Sequence, residues 1–338
     1  MKAGVYLGKE DIQVQDWPEP RLEAGEVLVR VRYAGICGTD MLIHSGKHPR
    51  VVAPRVLGHE IFGAVAESHP SPGTAWKPGA RVAIYPLISC GLCAPCTEGD
   101  AHVCEKLGLI GIDTDGGMAE LVKARGDQLF ALPDGVTDEQ AALVEPLAVA
   151  VHVVRTSGFR PGDLAVVMGG GPIGNLIAQV LRASGARAVV VAEVKDFRRE
   201  LAERQGIATF NPAQETARDA LRRLTGESSA DRVFEATGSA AAVREAIDVC
   251  RIRGEITWVG LPKTPPEVDI LRLVFKEIKT TGARVYRPVD YPVAIALLAR
   301  RAVDVLPLIT DKLPLQDVAR GFEQMHDADR SMKILFAP

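Results

Sequence analysis

No run of roughly 18 or more apolar residues occurs anywhere in the 338-residue chain, which excludes an ordinary membrane-spanning helix. Nor is there an excess of basic charge. Forty Lys and Arg stand against 43 Asp and Glu, a net charge of −3, whereas nucleic-acid readers carry a basic stripe. The charges are interspersed, as in Arg198-Arg199-Glu200 and Glu203-Arg204, the pattern of solvated helix faces. The chain opens Met1-Lys2-Ala3-Gly4-Val5-Tyr6, already strand-like, without the apolar region of a secretory signal. Internal repeats and low-complexity tracts are also missing. These absences point to a cytoplasmic globular protein whose partner is a small molecule, with no nucleic acid and no membrane. Cysteine is scarce too, and oddly placed: four of the six fall within residues 90–104, a spacing unsuited to structural disulfides in a cytosolic protein.

At this length the chain suits two domains better than one core. Residues 1–145 have a β-rich texture. Leu28–Tyr33 alternates apolar and polar residues as a half-buried strand does, and Phe62–Ala66 and Arg81–Tyr85 are short strand-like runs. Turns such as Ser71-Pro72-Gly73 and Lys77-Pro78-Gly79 separate them, which predicts a barrel or sandwich. Near residue 138 the texture changes. Asp138 reads as a helix N-cap, and strands then alternate with helices: strands at 164–168, 188–192, 207–210, 231–235, 255–260 and 278–283, helices at 173–184 and 196–205. Continuous apolar strands between helices predict a doubly wound parallel sheet. After about residue 286 come two amphipathic helices, 292–301 and 315–325, and a closing strand at 332–336. This tail is too short for a core of its own and is expected to pack back onto the first domain.

Gly169-Gly170-Gly171-Pro172-Ile173-Gly174 fits G-x-G-x-x-G, directly after a buried strand and opening a helix. Gly169 allows the tight turn, Gly171 lets the backbone approach a pyrophosphate, and Gly174 permits close helix–strand packing. Glu193 stands 19 positions beyond Gly174, where a carboxylate accepts from the ribose hydroxyls and repels a 2′-phosphate. NAD is therefore expected rather than NADP, although Lys195, Arg198 and Arg199 supply basic side chains nearby.

Cys90, Cys93, Cys96 and Cys104 offer four thiolates, the donor set of a closed structural zinc site. An iron–sulfur cluster or two disulfides are the alternatives. Cys250 lies in a helix-like stretch and reads as an ordinary buried thiol. A second ligand set gathers in residues 35–60: Gly35-Ile36-Cys37-Gly38-Thr39-Asp40 and then Gly58-His59-Glu60. Cys, His and Glu are zinc ligands, and three of them leave the open position of a catalytic zinc. With a nicotinamide carrying the electrons, such a metal polarises a substrate oxygen. Thr39 is placed to relay the proton, and Asp40 either to orient His59 or merely to make a turn.

These motifs, with Glu145-Pro146-Leu147-Ala148-Val149, stand in the order found in the zinc-dependent medium-chain dehydrogenase/reductase family, which the chain resembles end to end. Its polyol (sorbitol/xylitol) and threonine dehydrogenase branch is the most similar. The resemblance implies a GroES-like catalytic domain of residues 1–147 and 287–338, with a structural zinc lobe at about 86–108. It further implies a Rossmann domain of residues 148–286, a cleft between the two, and a homotetramer or homodimer. Cys37 and His59 match zinc ligands. Glu60 matches a carboxylate that binds the metal directly or through water. Glu145 stands where simple alcohol dehydrogenases carry a cysteine ligand, which points to polyhydroxy substrates; read from its residues alone, it is a carboxylate at a helix N-terminus. Arg198 matches a contact to the adenosine ribose. One catalytic and one structural zinc per chain follow.

Relatives often carry a histidine five residues after the ligand cysteine; here that position is Leu42, and the relay passes either through His44 or through Thr39, the cofactor ribose and water. Tyr286 and Arg287 are pocket candidates, Arg287 equally a subunit contact. The implied activity is interconversion of a secondary hydroxyl and a ketone on a polyol, sugar acid or similar compound. L-threonine 3-dehydrogenase, 2,3-butanediol dehydrogenase and an inactive NAD-binding relative are the alternatives.

Overall fold

Strands rich in Val and Ile, from two to ten residues long, build the N-terminal part, with Pro- and Gly-containing turns between them. The computed structural model describes residues 1–71 and 76–338, so the turn expected at Ser71-Pro72-Gly73 lies largely outside the described residues. In chain order the elements are β1 (Lys2–Gly8), β2 (Asp11–Asp16), β3 (Glu26–Gly35), α1 (Gly38–His44), β4 (Arg55–Val56), β5 (Glu60–Ser68), β6 (Arg81–Ile84), β7 (Leu87–Ile88), α2 (Ala94–Thr97), β8 (Gly108–Leu109), β9 (Leu121–Arg125), β10 (Leu129–Ala131) and α3 (Asp138–Ala141). The second half continues with α4 (Val144–Thr156), β11 (Leu164–Met168), α5 (Pro172–Ala183), β12 (Ala188–Ala192), α6 (Asp196–Arg204), β13 (Ala208–Phe210), α7 (Ala217–Thr225), β14 (Ala230–Glu235), α8 (Ala240–Val249), β15 (Cys250–Trp258), α9 (Ile270–Phe275) and β16 (Lys279–Gly282). It closes with α10 (Asp290–Ala299), β17 (Ile309–Pro314), α11 (Val318–Met325) and β18 (Lys333–Ala337).

The chain divides into two units, one of Met1–Glu145, Arg287–Arg300 and Val305–Pro338, the other of Pro146–Tyr286 and Arg301–Asp304. In the first, a mainly antiparallel sheet runs β10-β6-β5-β3-β18-β17, with β9 also paired to β3. Its core is largely aliphatic, with Val27, Val29, Val31, Ile61 and Val65 buried together with Phe336. The C-terminal strand β18 enters this sheet beside β3, with Leu335 opposite Gly35. Residues from opposite ends of the sequence thereby become neighbours.

In the second unit six strands run parallel in the order β13-β12-β11-β14-β15-β16. Val166, Val190, Val233 and Ile256 fill its interior, as sheets covered on both faces require. Its helices begin where capping side chains allow: the Thr216 hydroxyl accepts from Asp219 N–H to start α7, and Ser239 accepts from Ala242 N–H to start α8. Pro172 occupies the first turn of α5, where its missing N–H costs nothing.

Two local expectations are corrected. The cap of α3 is Thr137, not Asp138: its hydroxyl accepts from Gln140 N–H while the Gln140 side chain accepts from Thr137 N–H, a reciprocal pair that a lone Asp in the first turn does not form. Cys250 ends the helical run and opens β15, because the chain turns extended at that residue. Among the described residues no helix is long and apolar enough to cross a membrane.

Candidate active site

Strands β3, β5 and β18 set the first site. β3 ends at Gly35, opposite Glu60 at the start of β5, so Cys37 just beyond β3 and His59 just before β5 arise from adjacent strand ends. Asp40 sits in the first turn of α1, its Oδ2 accepting from Cys37 N–H at 2.9 Å. The Asp40 Oδ1 lies 3.7 Å from His59 Nδ1, too far for a hydrogen bond, and both atoms are buried without a hydrogen-bond partner. An imidazole oriented towards Asp40 through Nδ1 leaves Nε2 for another task, as in metal-ligating histidines. Burial works to keep His59 neutral, but Asp40, then Cys37 and Glu145, outweigh it and hold the imidazole well above its ordinary pKa. The site therefore attracts positive charge where a proton and a metal ion would compete. That environment fits a divalent cation, with Cys37, His59, Glu60 and Glu145 as the available donors.

Glu60 has a partner the sequence reading missed. Lys333 Nζ donates to its Oε1 at 2.6 Å and Oε2 at 2.8 Å, and to the Ile36 carbonyl at 2.9 Å, with both side chains almost wholly buried. Burial tends to neutralise the ammonium, yet Glu60, Cys37 and Glu145 raise its pKa above the usual lysine value. Gly35 makes the room: a Cβ there would lie 2.1 Å from Glu60 Oε2. A lysine inside the apolar run Met332–Phe336 was the available signal, because a charged residue in a buried strand needs a partner. In this geometry Glu60 is turned onto Lys333. Glu145 is buried in the first turn of α4. Thr39 is half-buried, its Oγ1 3.9 Å from Cys37 Sγ.

His44, the last residue of α1, packs its ring 4.9 Å from Phe322 and 6.4 Å from His326, with Nδ1 buried and unpartnered. Burial and then His326 lower its pKa, against the opposing pull of Glu10, Asp11 and Glu323. Arg287 is tied to the Gly99 carbonyl at 3.0 Å and to Asp100 at 3.4 Å, and Tyr286 is fully buried.

Among the described residues, the one group of three or more His, Cys, Asp or Glu with donor atoms all within 4.8 Å is Cys90, Cys93, Cys96 and Cys104. All four are free thiols. Cys93 Sγ lies 3.4 Å from Cys96 Sγ and 3.8 Å from Cys104 Sγ, close to the ~3.8 Å edge of a tetrahedron with metal–sulfur bonds of about 2.3 Å. Backbone N–H groups of Cys90 and Lys106 point at Cys104 Sγ, both at 3.3 Å. The N–H groups of Leu92 and Cys93 pull the Cys90 thiol down to about 6, while desolvation and the Cys93 thiol push Cys96 up to about 12. Four thiols so crowded fit a closed cation site.

The second unit holds the glycine turn. Gly169 has φ +102°, open to glycine at little cost. A Cβ on Gly174 would strike the Gly169 carbonyl at 1.9 Å, so helix and turn meet only without a side chain. Glu193 follows β12 and accepts from Gly170 N–H and Lys195 N–H, both at 2.9 Å. Arg198 Nη1 lies 3.9 Å from Glu193 Oε2, and its buried Nε has no partner. An unpartnered guanidinium N–H beside a helix N-terminus, with a carboxylate at the end of the next strand, fits an anionic dinucleotide.

The alcohol dehydrogenase GroES-like domain model matches residues 23–134 and the zinc-binding dehydrogenase model residues 172–300. The chain is 38% identical to the 2-dehydro-3-deoxy-L-galactonate 5-dehydrogenase of Pseudoalteromonas atlantica, over 99% of this chain and 98% of that one. The chain belongs to the zinc-dependent medium-chain dehydrogenase/reductase family, in its polyol dehydrogenase branch. It is 33% identical to the sorbitol dehydrogenase of Halalkalibacterium halodurans, over 100% of this chain and 99% of that one. The solved 2R,3R-butanediol dehydrogenase of Bacillus subtilis superposes with a TM-score of 0.91 at 31% identity, covering 100% and 99% of the two chains. As a medium-chain dehydrogenase the protein is an oxidoreductase, a GroES-like unit joined in sequence to a Rossmann unit.

Two outcomes are expected. Lys333→Met leaves Glu60 buried and uncompensated and should cost about 3–5 kcal/mol in urea unfolding of the metal-stripped protein, most of it recovered by adding Glu60→Gln. A loss below about 1 kcal/mol would mean that the pair does not support the fold. His44 binds its proton more weakly folded than unfolded, so its contribution is present above the ordinary imidazole pKa and is lost as pH falls below about 6.5. The thermal midpoint of His44→Leu should therefore fall less between pH 7.5 and 5.5 than that of the wild type; parallel curves would refute the assignment.

Proposed function

We propose that the protein oxidises a secondary hydroxyl of a small polyol, sugar acid or similar polyhydroxy compound to a ketone, reversibly, with NAD as hydride acceptor. The observation that carries this reading is the pairing, in one chain, of the Cys37–His59 site bearing Glu145 with the Gly169–Gly174 turn bearing Glu193. When bound, zinc supplies Lewis acidity to the substrate oxygen and the nicotinamide accepts the hydride. The chain's own residues do the rest. Cys37 and His59 hold the metal, Asp40 orients His59, and Glu145 and Glu60 serve as direct or water-mediated donors. Glu60 exchanges between that role and Lys333. Thr39 takes the hydroxyl proton, and a bound cofactor would supply ribose hydroxyls for its onward path to solvent; the packing of His44 against Phe322 favours Thr39 over the imidazole for this role. Glu193 accepts from the adenosine ribose, favouring NAD over NADP, with Arg198 beside it. Cys90, Cys93, Cys96 and Cys104 hold a structural zinc. Their free thiols suit the reducing cytoplasm.

The likeness to butanediol dehydrogenase supports a second reading, oxidation of a vicinal diol. We also infer a homo-oligomer, a dimer or tetramer. Ile270, Leu271, Val274 and Phe275 of α9 are 61–78% exposed, and β16 ends its sheet with an open edge. A second copy meeting this face would cover both, since an isologous contact pairs a patch with itself.

A panel of polyols, aldonates, vicinal diols and threonine, each with NAD and NADP and with and without a zinc chelator, tests the activity. Turnover of at least one polyol or aldonate with NAD, abolished by metal removal, is expected; no turnover at all, or turnover indifferent to zinc, would sink the mechanism. Cys37→Ser should lower kcat about a thousand-fold or more while NADH binding persists, because the two sites lie in different units. Phe275→Glu should shift the species seen by light scattering to monomer, and an unchanged mass would overturn the proposed face.

A further inference from the structure

The strand order of the Rossmann unit reverses between β11 and β14, the switch point outside which such sheets bind nucleotides. Two buried carboxylates flank it. Glu193, on the β12 side, accepts from Gly170 N–H. Glu235, on the other side, ends β14 opposite Met168, the residue before the glycine turn, and is 1% exposed. Its Oε1 accepts from Thr237 N–H at 2.7 Å and from the Thr237 hydroxyl, and Gly238 N–H donates to both oxygens at 3.0 and 3.1 Å. Its main-chain carbonyl accepts from Val259 and Gly260 N–H, both at 2.8 Å.

Glu235 thus joins its own loop to the one after β15, and Thr237 carries the contact on to a third. Thr237 Cγ2 is held so near Gly169 that a Cβ there would lie 2.7 Å away. A Cβ on Gly260 would lie 2.2 Å from Gly238 N and 2.7 Å from Glu235 Oε2. The loops after β11, β14 and β15 therefore form one packed layer at the strand ends. Their chemistry differs from side to side. The N-terminus of α5 keeps N–H groups for the pyrophosphate, whereas in the β14 loop the Ala236 N–H donates to the Met168 carbonyl and those of Thr237 and Gly238 are turned inward onto Glu235, all withdrawn from any anion. That side suits a nucleoside half, which carries no negative charge.

We propose that Glu235 is a positioning residue for the nicotinamide half of the dinucleotide: it holds the loops after β14 and β15 against the glycine turn and so shapes the seat of the reactive ring. This rests on the reading that the unit binds NAD. Glu235→Gln puts an amide N–H against the loop's own donors. In calorimetric titration of the zinc-loaded full-length protein it should weaken NADH about ten-fold or more, and leave ADP-ribose, which lacks the nicotinamide ring, within about two-fold. Equal weakening of both ligands, the mark of a general scaffold role, overturns the proposal, as does no change in either. Should Glu235→Gln not fold, Thr237→Val removes only the hydroxyl donor; a smaller shift in the same direction supports the assignment, and an unchanged ratio of NADH to ADP-ribose affinity overturns it. A wild-type protein that binds neither ligand overturns the NAD reading itself, a result distinct from the others.

Discussion

A lysine ammonium buried against a carboxylate is the contact on which the first unit turns. Taking Lys333 and Glu60 out of water is costly, and the pair persists because both carboxylate oxygens and the Ile36 carbonyl receive the ammonium's protons. The contact exists only when β18 has returned to β3 and β5, so it ties the end of the chain to the strand ends that carry Cys37 and His59. Gly35 is part of the same arrangement, since any side chain there would occupy the space of Glu60. The same contact holds β18 in the sheet and fixes the orientation of Glu60.

The electrostatics follow from that closure. Cys37, Asp40, Glu60 and Glu145 place negative or ionisable groups in a buried volume, and His59 and Lys333 are the cationic groups that answer them. Both have raised pKa values: against the opposing effect of burial, Asp40 leads for His59 and Glu60 for Lys333, and Cys37 and Glu145 act on both. A cation entering such a site competes with a proton on His59 and with Lys333 for Glu60. The Rossmann unit uses carboxylates differently: Glu193 and Glu235 accept from backbone N–H groups of the loops and determine which N–H groups remain for a ligand. In the first unit carboxylates face an ion; in the second they shape a surface.

Much of the fold was legible because its signals are local. The apolar run Leu164–Met168, the glycine turn and the helix opened by Pro172 sit together in sequence, and parallel strands buried on both faces must be apolar along their whole length. The four-cysteine lobe was equally plain, its four thiols lying within residues 90–104. The first unit was harder to read. Two-residue strands such as β7 and β8 carry no period, and their pairing depends on what covers them. Thr137 outranked Asp138 as a cap because a reciprocal bond with Gln140 was available.

By itself the sequence determined the donors: thiols, imidazole, carboxylates and glycines at spacings that short-range geometry can interpret. Only the tertiary structure decided which carboxylate faces which cation. Lys333 meets Glu60 from 273 positions away, and Glu235 acts through loops that follow three different strands. Such contacts leave no local pattern, because they are set by strand order and register rather than by neighbours in the chain.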